Sequence, residues 1–377
     1  MSQGDPLAMV LYGIALMPLA EHLRRRCPGV LTPWYADDAA SAGNAVLCAE
    51  ALKFLTKYGP IYGYYPEPEK SYFICKEEDE AQAKVAFYCL GLKVQFVRGK
   101  RYLGGFIGGC DPKLEWVKEK VKVWADGVNI LASIAKRYPQ TAFAGLTISL
   151  QNEWQYTLRT VPGIAALFDP VEKAIRSRFL PALLGVDSIS AEMRLLMAQG
   201  VKQAGLGIRN PVEAADAIFG VSKKACCELV DSLVHSTRLN LAEHRAAVRR
   251  ASTEARKERV EAKKAFLAER GLWKGQREAF RLERACEAGI WLTCIPSRLH
   301  ARLHGTELSK EEFVDNLRLR YNLAPLAMPC KCDGCGQKMT VEHALSCKVG
   351  GLVHIRHDDV GSEFGHLSEL AFSKGRV

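Results

Sequence analysis

Two stretches of this 377-residue chain carry side chains whose types and spacing could do chemistry. The first is Trp34-Tyr35-Ala36-Asp37-Asp38, where adjacent carboxylates follow an apolar and aromatic lead-in and precede the small residues Ala39, Ala40, Ser41 and Ala42. That order predicts a tight β-hairpin with the acids at its tip. Two ionised carboxylates about 4 Å apart repel by roughly 4 kcal/mol at an effective dielectric of ~20, so a fold that holds them together favours a bound cation. Mg²⁺ (or Mn²⁺) is the expected ion, since it takes oxygen ligands and substrate phosphates. Asp-Asp is also ordinary turn chemistry, so the pair draws its meaning from its neighbours.

The second stretch is Cys332-x-x-Cys335, followed by His343 and Cys347. Two thiolates on a Gly-containing turn, with His and Cys returning one helical turn apart, are the parts of a closed tetrahedral Zn²⁺ site. Ordering a short segment costs ~1–2 kcal/mol per residue in backbone entropy, and no apolar core lies nearby in the sequence. A structural zinc, worth ~10–16 kcal/mol in small peptides, offsets much of that cost. Cys330 could take the place of Cys332 by spacing alone. Farther on, His354, His357, Asp358, Asp359 and His366 read as a polar tail, with a second metal site as the alternative.

Several blocks surround the acidic pair. Gln3-Gly4-Asp5-Pro6 opens an apolar segment, with Asp5 a good N-cap and Pro6 a good first helical residue. Gly43 to Tyr58 has apolar residues near helical spacing and a stop at Gly59. Lys70 enters the strand-like Tyr72-Phe73-Ile74, and Glu77 to Leu90 reads as a helix. Two short strands, Lys93 to Val97 and Arg101 to Ile107, are then expected around a basic turn at Arg98-Gly99-Lys100.

The Gln-Gly-Asp-Pro, Tyr-Ala-Asp-Asp, Lys and Tyr-Leu-Gly blocks, in this order, resemble the later palm motifs of the reverse transcriptases of non-LTR retrotransposons and related retroelements. The resemblance covers roughly residues 1 to 110, and more weakly Ala204-Gly205-Leu206-Gly207-Ile208-Arg209-Asn210-Pro211 and the Cys-Cys-His-Cys cluster. It implies an RNA-directed DNA polymerase that uses RNA template, DNA primer and deoxynucleoside triphosphates. By the same resemblance Asp37 and Asp38 hold catalytic magnesium, and Lys70 faces the nucleotide phosphates as a charge and proton donor. Gln3, Gly4 and Tyr35 lie at the nucleotide, and Arg98, Lys100, Arg101 and Tyr102 meet the primer. The family draws a third aspartate from a palm strand upstream of the Gln-Gly block, whereas this sequence begins at Met1-Ser2-Gln3-Gly4. The expectation is therefore a C-terminal portion of such an enzyme, inactive alone. The alternative is a non-catalytic nucleic-acid-binding remnant, and a retired domain with a structural role is a third reading.

The elements that must carry these sites imply an α+β chain: a truncated right-hand polymerase palm over 1–109, a helical thumb-like domain over 110–240, a charged helical connector over 241–289, and a C-terminal region over 290–377 with the zinc-knuckle-like cluster. Beyond Gly109 the periodicity is helical throughout, with Leu114, Val117, Val121, Trp124, Val128 and Leu131 on one face. Leu241 to Arg284 is dense in charge, with glutamates at helical distances from Arg249, Arg250, Arg256, Lys257 and Lys264. The net charge of +10 favours a polyanionic partner. The 13 cysteines are mostly scattered singly, as expected of reduced thiols in an intracellular protein of nucleus or cytoplasm rather than a disulfide framework. Pro6 to Ala20 is apolar, but Asp5 stands where a signal sequence needs a basic residue and the run is too short to span a bilayer, so it reads as a buried helix.

Overall fold

A computed structural model describes residues 7–36, 38–235, 237–269, 308–349 and 352–372. They are mostly helical with a few small sheets, an α+β composition. None of the described helices is long and apolar enough to cross a membrane. The chain divides into two compact units, each drawn from separated stretches. The first gathers the described residues of Met1–Asp126, Leu150–Glu172 and Asn210–Leu272, and the second those of Gly127–Ser149, Lys173–Arg209 and Trp273–Val377.

In the first unit, Leu16, Leu19 and Leu23 of the helix Ala8–Arg26 pack against Phe54 and Leu55 of the helix Ala45–Tyr58. Asn44 caps the second helix by accepting from the Val46 N–H at 2.9 Å. The first helix is not buried as its composition implied. Only one face is, while Leu7, Val10, Leu11, Ile14 and Met17 are about half exposed or more. Its apolar residues surround the axis, and the core reaches only those at the spacing of 16, 19 and 23.

The described residues form three two-stranded sheets, two of which rest on this core through Trp34, Phe73 and Phe96. Strands β1 (Trp34–Tyr35) and β2 (Asp38–Ala39) form the antiparallel hairpin, lengthened by the bridge between Leu31 and Ala42. Strands β3 (Tyr72–Ile74) and β4 (Gln95–Val97) pair in parallel across the helix Glu80–Cys89. Strands β5 (Gly99–Tyr102) and β6 (Gly105–Gly108) form a second antiparallel hairpin.

That second hairpin corrects the expected one. Its turn is Leu103-Gly104, not Arg98-Gly99-Lys100, and Gln95–Val97 joins β3 instead of facing it. Leu103 and Gly104 have φ of 46° and 80°. Positive φ at both central residues is what a two-residue hairpin turn needs to match strand twist, and glycine supplies one of them without strain. At the other end Gly99 lies opposite Gly108, where a Cβ on Gly108 would come within 2.3 Å of the Gly99 Cα. Two glycines allow that approach, so the strands begin and end there.

The helix Cys110–Ala135 follows, and Val117, Val121 and Trp124 are buried as their spacing predicts. Trp124 stacks on Phe168 at 5.8 Å between ring centres and donates its indole N–H to Glu153 at 3.1 Å. The helix Pro211–Ala225 packs against Gln151–Thr160 and against the long charged helix Leu241–Glu269. The charged stretch expected to run from Leu241 to Arg284 is described as far as Glu269, and Gly271 and Gly275, where its sequence predicts a break into two helices, lie outside the described residues.

The second unit is built on Phe143, Leu146, Ile175, Phe179 and Leu183, all buried. The helix Lys310–Arg320 closes it, started by a capping box in which Ser309 and Glu312 satisfy each other's backbone N–H groups. Its Phe313 packs against Phe143, and the Arg318 guanidinium donates to the carbonyls of Leu184 and Gly185 at 2.8 and 3.0 Å. The Tyr321 hydroxyl donates to the Ala204 carbonyl in the glycine-rich loop at 3.2 Å.

In that loop a Cβ on Gly205 would stand 1.9 Å from the Gln199 carbonyl oxygen. Gly205→Ala is therefore expected to destabilise the chain by roughly 1–3 kcal/mol through forced backbone displacement. A urea midpoint unchanged by the substitution would contradict this packing.

Candidate metal centre and acidic hairpin

The cysteine cluster assembles from local turn chemistry. The Cys332 N–H donates to the Gln337 carbonyl and the Gly336 N–H to the Cys332 carbonyl, both at 2.8 Å. Gly336, with φ of 70°, makes the left-handed step that brings the chain back. Thr340 then caps the short helix Val341–Ser346 by accepting from the His343 N–H at 3.0 Å, which sets the imidazole on the turn facing the thiols.

One ligand atom from each of Cys332, Cys335, His343 and Cys347 lies within 4.8 Å of the others. The sulfurs of Cys332 and Cys347 are 3.7 Å apart, and the Cys335 sulfur is 3.2 Å from His343 Nε2. Tetrahedral ligands on Zn–S bonds of ~2.3 Å lie about 3.8 Å apart, so the spacing fits a zinc-sized ion. Cys332 belongs to the group and Cys330 does not; the Cys330 carbonyl instead accepts from the Met339 N–H at 3.0 Å. Met339 packs on Cys332 and Cys347, a very small core.

The electrostatics favour a cation. A backbone hydrogen bond at Cys335, then the His343 side chain and the backbone at Gly334, pull the Cys332 thiol down to about 6. The backbone at Val349 lowers Cys347, but burial and the hydrogen bonds with Cys332 and Cys335 outweigh it and leave that thiol raised. A thiolate thus sits beside thiols that a metal would deprotonate.

No second cluster forms downstream. Among the described residues the Cys332 group is the one set of three or more metal-ligating side chains. His354, His357, Asp358, Asp359 and His366 lie exposed on the helix Leu352–Phe372.

In the first unit, Gln3, Gly4 and Asp37 lie outside the described residues. Asp38 is exposed, paired through the backbone with Tyr35, itself 64% exposed. Burial, followed by the Asp38 carboxylate, pushes the Tyr102 phenol up, so the tips of the two hairpins are electrostatic neighbours. Lys100 places its ammonium 4.1 Å from the centre of the Tyr72 ring, joining β5 to β3. Lys70 is exposed and pairs with Glu67 at 2.6 Å. Arg101 is exposed. Arg98 is held by Glu80 at 2.7 Å and by the Cys75 carbonyl at 3.3 Å, which makes it a brace of the fold.

Sequence reasoning missed Tyr156, whose hydroxyl donates to the Leu103 carbonyl and whose ring would lie 2.9 Å from a Cβ on Gly104. No local pattern announces a partner 53 positions away. Comparison of the chain with family models, curated proteins and solved structures finds no match.

Proposed function

We propose that the first unit carries part of a reverse-transcriptase-like polymerase site and that the chain binds primed nucleic acid. The observation that carries the reading is that blocks of the resembled family, separated in sequence, are brought together: Lys100 lies 4.1 Å from the centre of the Tyr72 ring, and the Asp38 carboxylate adds to burial in raising the Tyr102 phenol. Tyr72, two residues beyond Lys70, touches Lys100 of the same second hairpin. In this reading Asp37 and Asp38 draw Mg²⁺ or Mn²⁺ towards the primer end, Tyr35 borders the nucleotide, and Lys100, Arg101 and Tyr102 meet the primer. Gln3 and Gly4 would complete the nucleotide side, with Lys70 swinging from Glu67 to the leaving phosphates.

Two-metal transfer needs carboxylates that clamp both ions ~3.5–4 Å apart. In this reading Asp37 and Asp38 supply only part of that cage, so the chain by itself holds a cation weakly. That favours the second reading, a nucleic-acid-binding protein without catalysis of its own. The zinc-loaded cluster serves either reading as a structural clip.

The test is an RNA template with an annealed DNA primer, offered with Mn²⁺ and deoxynucleoside triphosphates. Complex formation without extension is expected. Extension by the chain alone would make the site catalytically complete, and absence of a complex at low salt would remove both readings.

A further inference from the structure

A groove of about 760 Å³ is lined by residues of the second unit alone and shares none of them with the sites described above. Three segments wall it: the later part of the helix Cys110–Ala135, the stretch around the helix Leu180–Leu184, and the start of the helix Lys310–Arg320. Its floor is apolar, with Ala132 and Val314 buried and Ala182 half buried. Its rim is cationic. Lys136, Arg178 and Lys310, one from each segment, are exposed, and none makes an ion pair with a described residue. Against them the described lining holds a single acid, Asp187.

Unpaired like charges around an apolar floor repel one another and are relieved by a ligand that brings carboxylates to the rim and hydrocarbon to the floor. The volume falls in the range of ~300–1,000 Å³ typical of ligand clefts. The cations come from three elements, so a small monoanion would leave most of them unpaired. Among the described residues no aromatic side chain lines the groove, so these offer bases no stacking platform of the kind that single-stranded nucleic acid uses.

We infer that this groove is a docking site for a short acidic, amphipathic helical segment of a partner protein, with apolar side chains on one face and Asp or Glu flanking them. The apolar side chains cover Ala132, Ala182 and Val314, and the carboxylates pair with Lys136, Arg178 and Lys310. This goes beyond the polymerase reading and does not depend on it.

The experiment uses the full zinc-loaded chain and fluorescence anisotropy with three labelled probes of about twelve units: a Glu/Leu peptide with the leucines on one helical face, polyglutamate, and oligo(dT). The Glu/Leu peptide is expected to bind best. Lys136→Glu/Arg178→Glu/Lys310→Glu should weaken it by about tenfold or more, from the sum of three surface pairs and their reversal. Ala182→Trp, which fills the floor without changing charge, should weaken the same peptide while leaving oligo(dT) binding unchanged. Circular dichroism melts of both variants show that they fold, and the two act by different routes, so loss of one leaves the other to decide. Equal binding of polyglutamate, binding of the Glu/Leu peptide untouched by either variant, or oligo(dT) as the probe that the variants release would each overturn the proposal.

Discussion

Removal of zinc from the purified chain is expected to release one metal ion per molecule and to unfold the segment from Cys330 to Val349. The segment has almost no core of its own: Cys332, Met339 and Cys347 are its buried residues, with Met328 and Ala344 against them. A structural zinc in a small peptide is worth ~10–16 kcal/mol at neutral pH, far more than three buried side chains at about 1.5–3 kcal/mol each. Native mass spectrometry before and after a chelator reads the ion, and amide exchange over the segment reads the order. Cys335→Ser with His343→Ala should abolish retention, whereas Cys330→Ser should leave it intact. Retention of zinc by the double variant would refute this ligand set. Uptake should also strengthen with pH from about 6 upwards. Protons compete for the Cys332 thiolate below that value, and the raised Cys347 thiol holds a proton that zinc must displace. An affinity flat over that range would contradict the thiolate assignment.

Replacing Arg249, Arg250, Arg256 and Lys257 with glutamine is expected to lower affinity for primed RNA–DNA by one to several orders of magnitude at low salt, equally for all sequences. All four are exposed on the helix Leu241–Glu269. Contacts to phosphate release counterions, so log affinity falls with log salt by about 0.9 for each duplex phosphate neutralised. Losing four such contacts flattens the slope by roughly 3–4, which is about a thousandfold between low and tenfold higher salt. The same helix carries glutamates, among them Glu254, Glu258 and Glu261, so its cations could instead serve only the solvated surface. Anisotropy titrations at several salt concentrations separate the two. A slope identical in wild type and variant would assign phosphate binding to other residues, with Lys100 and Arg101 the next to replace.

Patterns confined to a few residues were the legible part of this fold. The Trp34–Asp38 hairpin follows from a small-residue run after paired acids, and the knuckle from ligand spacing on a glycine turn; both are closed by bonds within about a dozen residues. The helix Ala45–Tyr58 is legible from its apolar spacing and the stop at Gly59, and the burial of Val117, Val121 and Trp124 from theirs. Parts set by distant partners were not. The basic triplet at 98–100 looked like a turn, but Arg98 is recruited by Glu80, and the true turn is fixed by Gly104 against Tyr156. Burial of the helix Ala8–Arg26 was overread because hydrophobicity states what a face prefers, not which partner reaches it. Arg318, bound to carbonyls more than a hundred positions earlier, carries no signal in its neighbours.

In the proposed site the tips of the two antiparallel hairpins attract one cation together, and paramagnetic broadening by Mn²⁺ tests that directly. In the ¹⁵N-labelled chain, substoichiometric Mn²⁺ should broaden amides around Asp38 and, in the same titration, those around Tyr102. Asp37→Asn/Asp38→Asn should restore both sets together while zinc remains bound to its cysteine cluster. Broadening at Asp38 that leaves Tyr102 sharp, or curves unchanged in the double variant, would contradict the shared site and with it the polymerase-like reading of the first unit.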